Sequence, residues 1–156
     1  MPSAPASKRV GLISDTHGLL RPQAVAFLRG SDYIVHAGDI GAPEVLEALS
    51  AIAPVTAVRG NNDRDAWARG IPDMAGLEVE KVRICVIHDR ADFEGTGYHV
   101  VVSGHSHKPL IEERDGVLYV NPGSAGPRRF KLPIAVAELR IGGGTVRPRV
   151  IELELK

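Results

Sequence analysis

Val10-Gly11-Leu12-Ile13-Ser14-Asp15-Thr16-His17-Gly18 decides how the rest of the chain is read. An apolar run ends abruptly in a carboxylate, an imidazole follows two residues on, and glycine follows that. Short apolar runs bounded by turn residues read as buried strands. In α/β folds ligands gather outside the carboxyl ends of strands. A strand that delivers Asp15 and His17 to its own tip therefore offers a pair of metal ligands. One Asp-x-His arises easily by chance, so the weight lies in whether other strands end the same way.

They do. Tyr33-Ile34-Val35-His36-Ala37 is a second apolar strand and runs into Gly38-Asp39. Val55 to Val58 is a third and runs into Gly60-Asn61-Asn62-Asp63. Val82 to Ile87 ends in His88-Asp89, and Val100 to Ser103 ends in Gly104-His105-Ser106-His107. Between the early strands lie two short helices. Pro22 to Arg29 carries Val25 and Leu28 on one stripe and ends at Gly30, and Pro43 to Ser50 carries Val45, Leu46 and Leu49. In both, proline stands in the first turn, where a missing N–H costs nothing. Strand, helix, strand, helix, strand predicts a right-handed parallel start to a sheet.

The second half is richer in strands. Leu77 to Val79 pairs with Val82 to Ile87. Leu110 to Glu113 and Val117 to Val120 form a hairpin about Asp115-Gly116, followed by the turn Asn121-Pro122-Gly123-Ser124. Ile134 to Ile141 and Val146 to Leu155 alternate apolar and polar residues around Gly142-Gly143-Gly144, which predicts a closing antiparallel hairpin with one wet face. Arg64 to Met74 is polar and irregular, with Trp67 read as a lid over apolar surface. Two sheets packed face to face, with helices outside, suit both halves.

The totals narrow the function. The 156 residues carry 19 Lys+Arg and 19 Asp+Glu, so there is no global attraction to nucleic acid or anionic membranes. A single cysteine, Cys85, excludes an internal disulfide and a cysteine-based zinc site; it reads as a small buried hydrophobe. No segment reaches the roughly 18 apolar residues of a membrane span. Residues 1–8 are expected to be a flexible leader without a secretory h-region, residues 9–156 a single domain, and the protein cytoplasmic.

Seven donors at strand tips, Asp15, His17, Asp39, Asn61, His88, His105 and His107, exceed the needs of one ion and suit two ions sharing a carboxylate. Oxygen donors mixed with imidazole favour Mn²⁺, with Fe, Zn²⁺, Ni²⁺ or Co²⁺ as alternatives, over Ca²⁺. Two such ions about 3.5–4 Å apart can activate a water and clamp the oxygens of an in-line phosphoryl displacement.

As an ordered set, Asp15-x-His17, Gly38-Asp39, Gly60-Asn61, His88 and Gly104-His105-x-His107 resemble the calcineurin-like metallophosphoesterase superfamily, and the small size with Asn121-Pro122-Gly123-Ser124 is similar to its compact YfcE-type phosphodiesterase branch. The resemblance implies a four-layer α/β/β/α sandwich of two mixed sheets. It implies one ion on Asp15, His17, Asp39 and His107, a second on Asp39, Asn61, His88 and His105, Asp39 as the bridge, and a bridging hydroxide as the nucleophile. The candidate catalytic set is then Asp39, Asn61 and His88, with Asn62 and Arg128 beside them. Asn62 stands where larger relatives carry a histidine that assists the leaving group, so aryl phosphodiesters are the expected substrates. Asp89 stands where this branch usually has glycine. Arg128 falls where the branch often carries a basic residue near the substrate, whereas Arg129 and Lys131 read as a solvated loop. His36 reads as structural or as support for the ligands, and His99 as exposed. The expected partner is a small phosphate ester, without long nucleic acid or membrane, and a second copy of the chain could add recognition surface as a homo-oligomer. The alternative reading is a protein-interaction scaffold of the same fold, like the retromer subunit of this superfamily.

Overall fold

The computed structural model of the chain describes residues 7–129 and 131–155. Most of the expected leader, residues 1–6, lies outside that description, and the first strand already includes Lys8. Ten strands and two α-helices follow in the order β1 (Lys8–Ile13), α1 (Pro22–Leu28), β2 (Tyr33–His36), α2 (Pro43–Ser50), β3 (Val55–Ala57), β4 (Met74–Val79), β5 (Val82–Ile87), β6 (Val100–Val102), β7 (Leu110–Arg114), β8 (Val117–Asn121), β9 (Ala135–Gly142) and β10 (Thr145–Glu152). They form two five-stranded mixed sheets, ordered β10-β9-β1-β2-β3 and β4-β5-β6-β8-β7. β1, β2 and β3 are parallel, as the strand–helix alternation requires, and β5, β6 and β8 are parallel in the second sheet.

The period-two alternation of the strands makes the layers. Val10, Leu12 and Val35 of the first sheet face Ile84, Val86, Val100, Val102 and Val120 of the second, and these residues form the core between the sheets. Ile13 and Ile34 point the other way, towards Ala24 and Leu28 of α1 and Val45 and Leu49 of α2. A side chain at Gly11 would run into Leu28 and Ser31, so glycine there lets α1 lie flat on β1. On the outer face of the second sheet, Cys85, Ile87 and Val101 are covered by Phe93 and Tyr98 from a short 3-10 turn (Arg90–Asp92) and the loop after it. The sandwich is α/β/β/α, with its fourth layer reduced to that turn and loop. Trp67 packs on the apolar layer under the helices, as a lid.

The C-terminal hairpin departs from expectation. β9 inserts between β1 and β10, so it is buried on both faces, and only β10 alternates between exposed and half-buried residues. This insertion buries a charge network. Arg9 of β1 donates to Glu138 of β9 at 2.9 Å and to the Phe27 and Arg29 carbonyls at the end of α1, with its guanidinium 4.6 Å from the Phe27 ring centre. Arg9 thus satisfies carbonyls that a helix C-terminus leaves open. Burial would raise the Glu138 carboxyl, but hydrogen bonds from Arg9 and Arg140 prevail and hold it below the ordinary glutamate value.

Candidate metal centre

Each strand tip turns sharply to point its polar residue into one cleft. Asp15, His17, Asp39, His105 and His107 all have positive φ, between 47° and 70°. A non-glycine residue in this left-handed region costs on the order of 1 kcal/mol or more, and persists only where its surroundings over-determine it. Here they do. His17 N–H donates to the Asp39 carbonyl at 2.9 Å, Gly18 N–H to Ile40 at 2.7 Å, and Gly104 N–H to His88 at 2.9 Å, so neighbouring tips are laced together by backbone. The glycines between ligands are demanded by space. A Cβ on Gly60 would sit 2.1 Å from Asp39 Oδ1, and one on Gly104 would sit 2.0 Å from Ser14 Oγ.

Asp15 is fully buried. Its Oδ2 accepts from Ser14 Oγ at 2.7 Å and from His105 N–H at 3.2 Å. Its Oδ1 has no hydrogen-bond partner, and neither has His17 Nε2. Around Asp15 Oδ1 lie His107 Nε2 at 3.4 Å, His88 Nε2 at 3.9 Å and His17 Nε2 at 4.0 Å. Asp39 Oδ2 lies 3.3 Å from His88 Nε2 and 3.7 Å from His17 Nε2. Buried polar atoms left without partners cost free energy; Asp15 Oδ1 and His17 Nε2 both belong to this cluster, and His107 Nδ1 is a third such atom.

His88 sharpens the point. Its Nδ1–H donates to the Ala37 carbonyl at 2.7 Å, so in the neutral ring Nε2 carries a lone pair. That lone pair faces Asn61 Oδ1 at 3.0 Å as well as Asp39 Oδ2. Three acceptors directed at one point are what a cation resolves, with the backbone carbonyl orienting the ring from behind. Without a cation a proton does the same. Burial disfavours charge on His88, but Asp39, the Ala37 carbonyl and Asp15 outweigh it and raise its pKa. Burial likewise opposes ionisation of Asp39. The His88 contact, the Asn62 N–H and the nearby imidazoles prevail, holding that carboxyl far below the usual range.

Two groups have the spacing of metal ligands: Asp15, His17 and His107, and Asp15, Asp39 and His88. They share Asp15, while Asp39 Oδ2 lies between His17 and His88. Asn61 closes on His88. His105 is turned aside: its side chain is 46% exposed, its ring packs edge-on against His88, and its Nε2 faces Asp89 Oδ2 at 3.7 Å. Asn62 is exposed and lies against Asp39. Its N–H and its side-chain amide donate to the two oxygens of Asp39, at 2.9 and 3.1 Å. Arg128 lines a small pocket with His17 and His107. Arg129 and Lys131 lie exposed in a loop, as expected, and there line an open cleft beside His105.

Several residues support the ligands, most through partners that the sequence does not reveal. Asp63 accepts from the N–H groups of Ile40, Gly41 and Gly60, tying the Asp39 tip to the Asn61 tip. Thr16, inside Asp15-x-His17, donates to the Ile40 carbonyl and accepts from His36 Nε2. His36 accepts from Gly38 N–H through Nδ1 and is completely buried, and burial lowers its pKa to about 4 despite nearby carboxylates. It is a neutral structural residue. Asn121 donates to the Gly104 carbonyl and Ser106 Oγ, and Ser124 Oγ donates to the Asp15 carbonyl. The Asn121–Ser124 turn therefore supports both ends of the cluster. His99 is exposed, its Nδ1 accepting from Arg83 N–H, and Cys85 is buried, which pushes its thiol up.

The family model for the calcineurin-like phosphoesterase superfamily domain matches residues 9–143. The chain belongs to that superfamily. It is 36% identical over 159 aligned positions to a probable metallophosphoesterase of Methanothermobacter thermautotrophicus, covering 91% of each chain. It is 26% identical to a phosphodiesterase of Methanocaldococcus jannaschii, covering 74% of this chain and 82% of that one. Among solved structures, the phosphoesterase YfcE of E. coli superposes with a TM-score of 0.70 at 21% identity, covering 94% and 100% of the two chains. Vacuolar protein sorting 29 of Cryptosporidium parvum superposes with a TM-score of 0.74 at 19% identity, covering 96% and 100%. Membership of this superfamily implies divalent metal ions, and the donor set above fits them. No helix of the described residues is long and apolar enough to cross a membrane.

Proposed function

We propose that the chain is a dinuclear metal-dependent phosphodiesterase. The observation that carries this is the inward-facing set of Asp15 Oδ1, Asp39 Oδ2 and three imidazole nitrogens, two atoms of which are buried without a hydrogen-bond partner. On this reading Asp15, His17, Asp39 and His107 hold one ion and Asp39, Asn61, His88 and His105 the other, with Asp39 shared. The sharing of Asp39 is supported by Oδ2 lying 3.7 Å from His17 Nε2 and 3.3 Å from His88 Nε2. Mn²⁺ suits the mixed oxygen and imidazole donors, as do the other transition ions of that class. Two bound ions would supply Lewis acidity and a water acidic enough to attack at neutral pH.

The chain's own residues do the rest. Asn62 fixes both oxygens of Asp39. Arg128, beside His17 and His107, presents a guanidinium that can hold a phosphate oxygen pair. No histidine stands at position 62 to protonate a leaving group, which favours esters of acidic alcohols such as phenols. A scaffold would need a contiguous exposed apolar patch. Among the described residues the exposed large apolar side chains are Met74 on edge strand β4, the adjacent Leu110 and Ile111 on the opposite edge strand β7, and Leu19 in the loop between β1 and α1.

The test is hydrolysis of bis(4-nitrophenyl) phosphate and of 4-nitrophenyl phosphate by protein stripped of metal and then reloaded with Mn²⁺, with Asp39→Asn as control. Diester cleavage that requires metal and Asp39 is the expected result. Bound metal without turnover of either ester overturns the reading.

A further inference from the structure

A second cleft, of about 870 Å³, opens beside His105 and is lined by Ser106, Lys108, Arg129, Lys131 and Leu132. Arg129 also lines the smaller pocket that holds His17, His107 and Arg128, so the two spaces adjoin. The cleft is of the size that takes a drug-sized or nucleotide-sized molecule. Its charge is one-sided. Lys108, Arg129 and Lys131 are all exposed, and among the described residues none of them forms an ion pair. Five arginines elsewhere form ion pairs: Arg9, Arg140 and Arg149 with Glu138, Arg59 with Asp73, and Arg90 with Glu112. On the other side of His105, Asp89 and Asp92 line the pocket that contains Asn61 and His88, together with Asp73 and the Arg59 that pairs with it. One flank of the site therefore carries three exposed cations, and the other carries Asp89 and Asp92 beside an Arg59–Asp73 pair.

We infer that the cleft is a second anion subsite, and that the substrate is a phosphodiester one of whose ester arms carries a further phosphate. This deepens the phosphodiesterase reading and rests on it. The scissile phosphate would sit at the strand tips beside Arg128, and the further phosphate would sit among Lys108, Arg129 and Lys131, with Leu132 against the organic part between them. The acidic flank repels the same group, so the two flanks together fix which arm enters the cleft. The reaction remains a hydrolysis. Water adds to the scissile phosphorus, one P–O ester bond breaks, and the products are a phosphomonoester and an alcohol, with the further phosphate unchanged on its own arm.

The experiment uses the Mn²⁺-loaded full chain and two substrates that differ by one group: thymidine 5′-(4-nitrophenyl phosphate) with and without a 3′-phosphate. The expected result is a kcat/KM at least about tenfold higher for the 3′-phosphorylated ester, as a charge-assisted contact predicts, and a preference that shrinks with added salt. The double variant Arg129→Ala/Lys131→Ala should lose that preference, and Arg129→Lys/Lys131→Arg should keep most of it. Equal kcat/KM for the two esters in the wild type, or an equal loss on both in the double variant, overturns the subsite while leaving the phosphodiesterase reading intact. Calorimetric binding of thymidine 3′,5′-bisphosphate against thymidine 5′-monophosphate separates the two readings from the other side. If neither ester is cleaved but the bisphosphate binds tighter to wild type and not to the double variant, the subsite stands and the activity reading falls; equal binding overturns the subsite.

Discussion

On one side of the metal-ligand cluster, Asp15 and His107 are buried to within 3% of complete and Asp15 is gripped by Ser14 and the His105 N–H. On the other side, His88 is buried, but Asn61 is exposed and His105 is half in solvent, turned towards Asp89. The inner side is assembled by backbone rungs between β1 and β2 tips and by the Asn121–Ser124 turn. The outer side depends on loops of the second sheet whose last ligand points away. On the dinuclear reading, an ion on the inner side would find its donors in place, and one on the outer side would need His105 to swing in. Affinity should differ accordingly, because pre-organised donors bind without an ordering cost.

Asp39 stands between the two sides, so its loss should have the largest effect. Asp39→Asn is expected to lower kcat by about a thousandfold or more, measured on the aryl diester, together with loss of bound metal by elemental analysis. Retention of activity within tenfold would break the comparison at its centre. Next, His107→Ala should lower metal occupancy more than His105→Ala does at limiting Mn²⁺. Restoration of the His105 variant's activity by added Mn²⁺, and weaker restoration of the His107 variant's, would sharpen the contrast; the reverse order would refute it. The third effect concerns support. Asp63→Ala removes an acceptor from three buried or half-buried N–H groups and should cost about 1–3 kcal/mol by urea unfolding, with activity falling roughly 10–100-fold as for other residues that orient ligands.

Acid should also act unevenly. His36 titrates at about 4 in the fold against an ordinary value of 6.5. Above pH 6.5 both folded and unfolded chains carry it neutral. As pH falls from 6.5 to 4 the unfolded chain takes up a proton the fold refuses, so this group's contribution drops by up to roughly 3 kcal/mol. Metal-free protein unfolded in urea across that range should show the slope, and His36→Gln should flatten it. The smallest effect is expected at Asp89. Its Oδ1 accepts from Ala91 N–H in the 3-10 turn and its Oδ2 only approaches His105, so Asp89→Gly should change kcat/KM by less than about tenfold.

How much of this was legible in the sequence follows the same division. The strand tips could be read because a Gly-Asp or Gly-His after an apolar run is a local signal. The partners of the supports could not. Asp63 and Ser124 act on chain segments far away in sequence, Asn121 bonds the loop after β6, and Thr16 looks like a spacer. Nothing local marks Asp15 or His17 as left-handed, since that conformation is forced by rungs to the β2 tip. β9 read as a half-wet strand because its alternation is visible and its neighbour is not; insertion between β1 and β10 is a long-range pairing. Arg129 and Lys131 resemble any solvated loop until the fold curls them over His105.

The ligands are also divided by sheet. The first sheet's tips bring both carboxylates, Asn61 and His17; the second sheet's tips bring His88, His105 and His107. The centre therefore lies on a seam where apolar packing is joined by hydrogen bonds such as His105 N–H to Asp15 Oδ2 and His88 Nδ1–H to the Ala37 carbonyl, and any ion held there would be a further rivet through the two plates. Pulled apart, neither plate would keep a complete set of donors, so the chemistry depends on both sheets staying together.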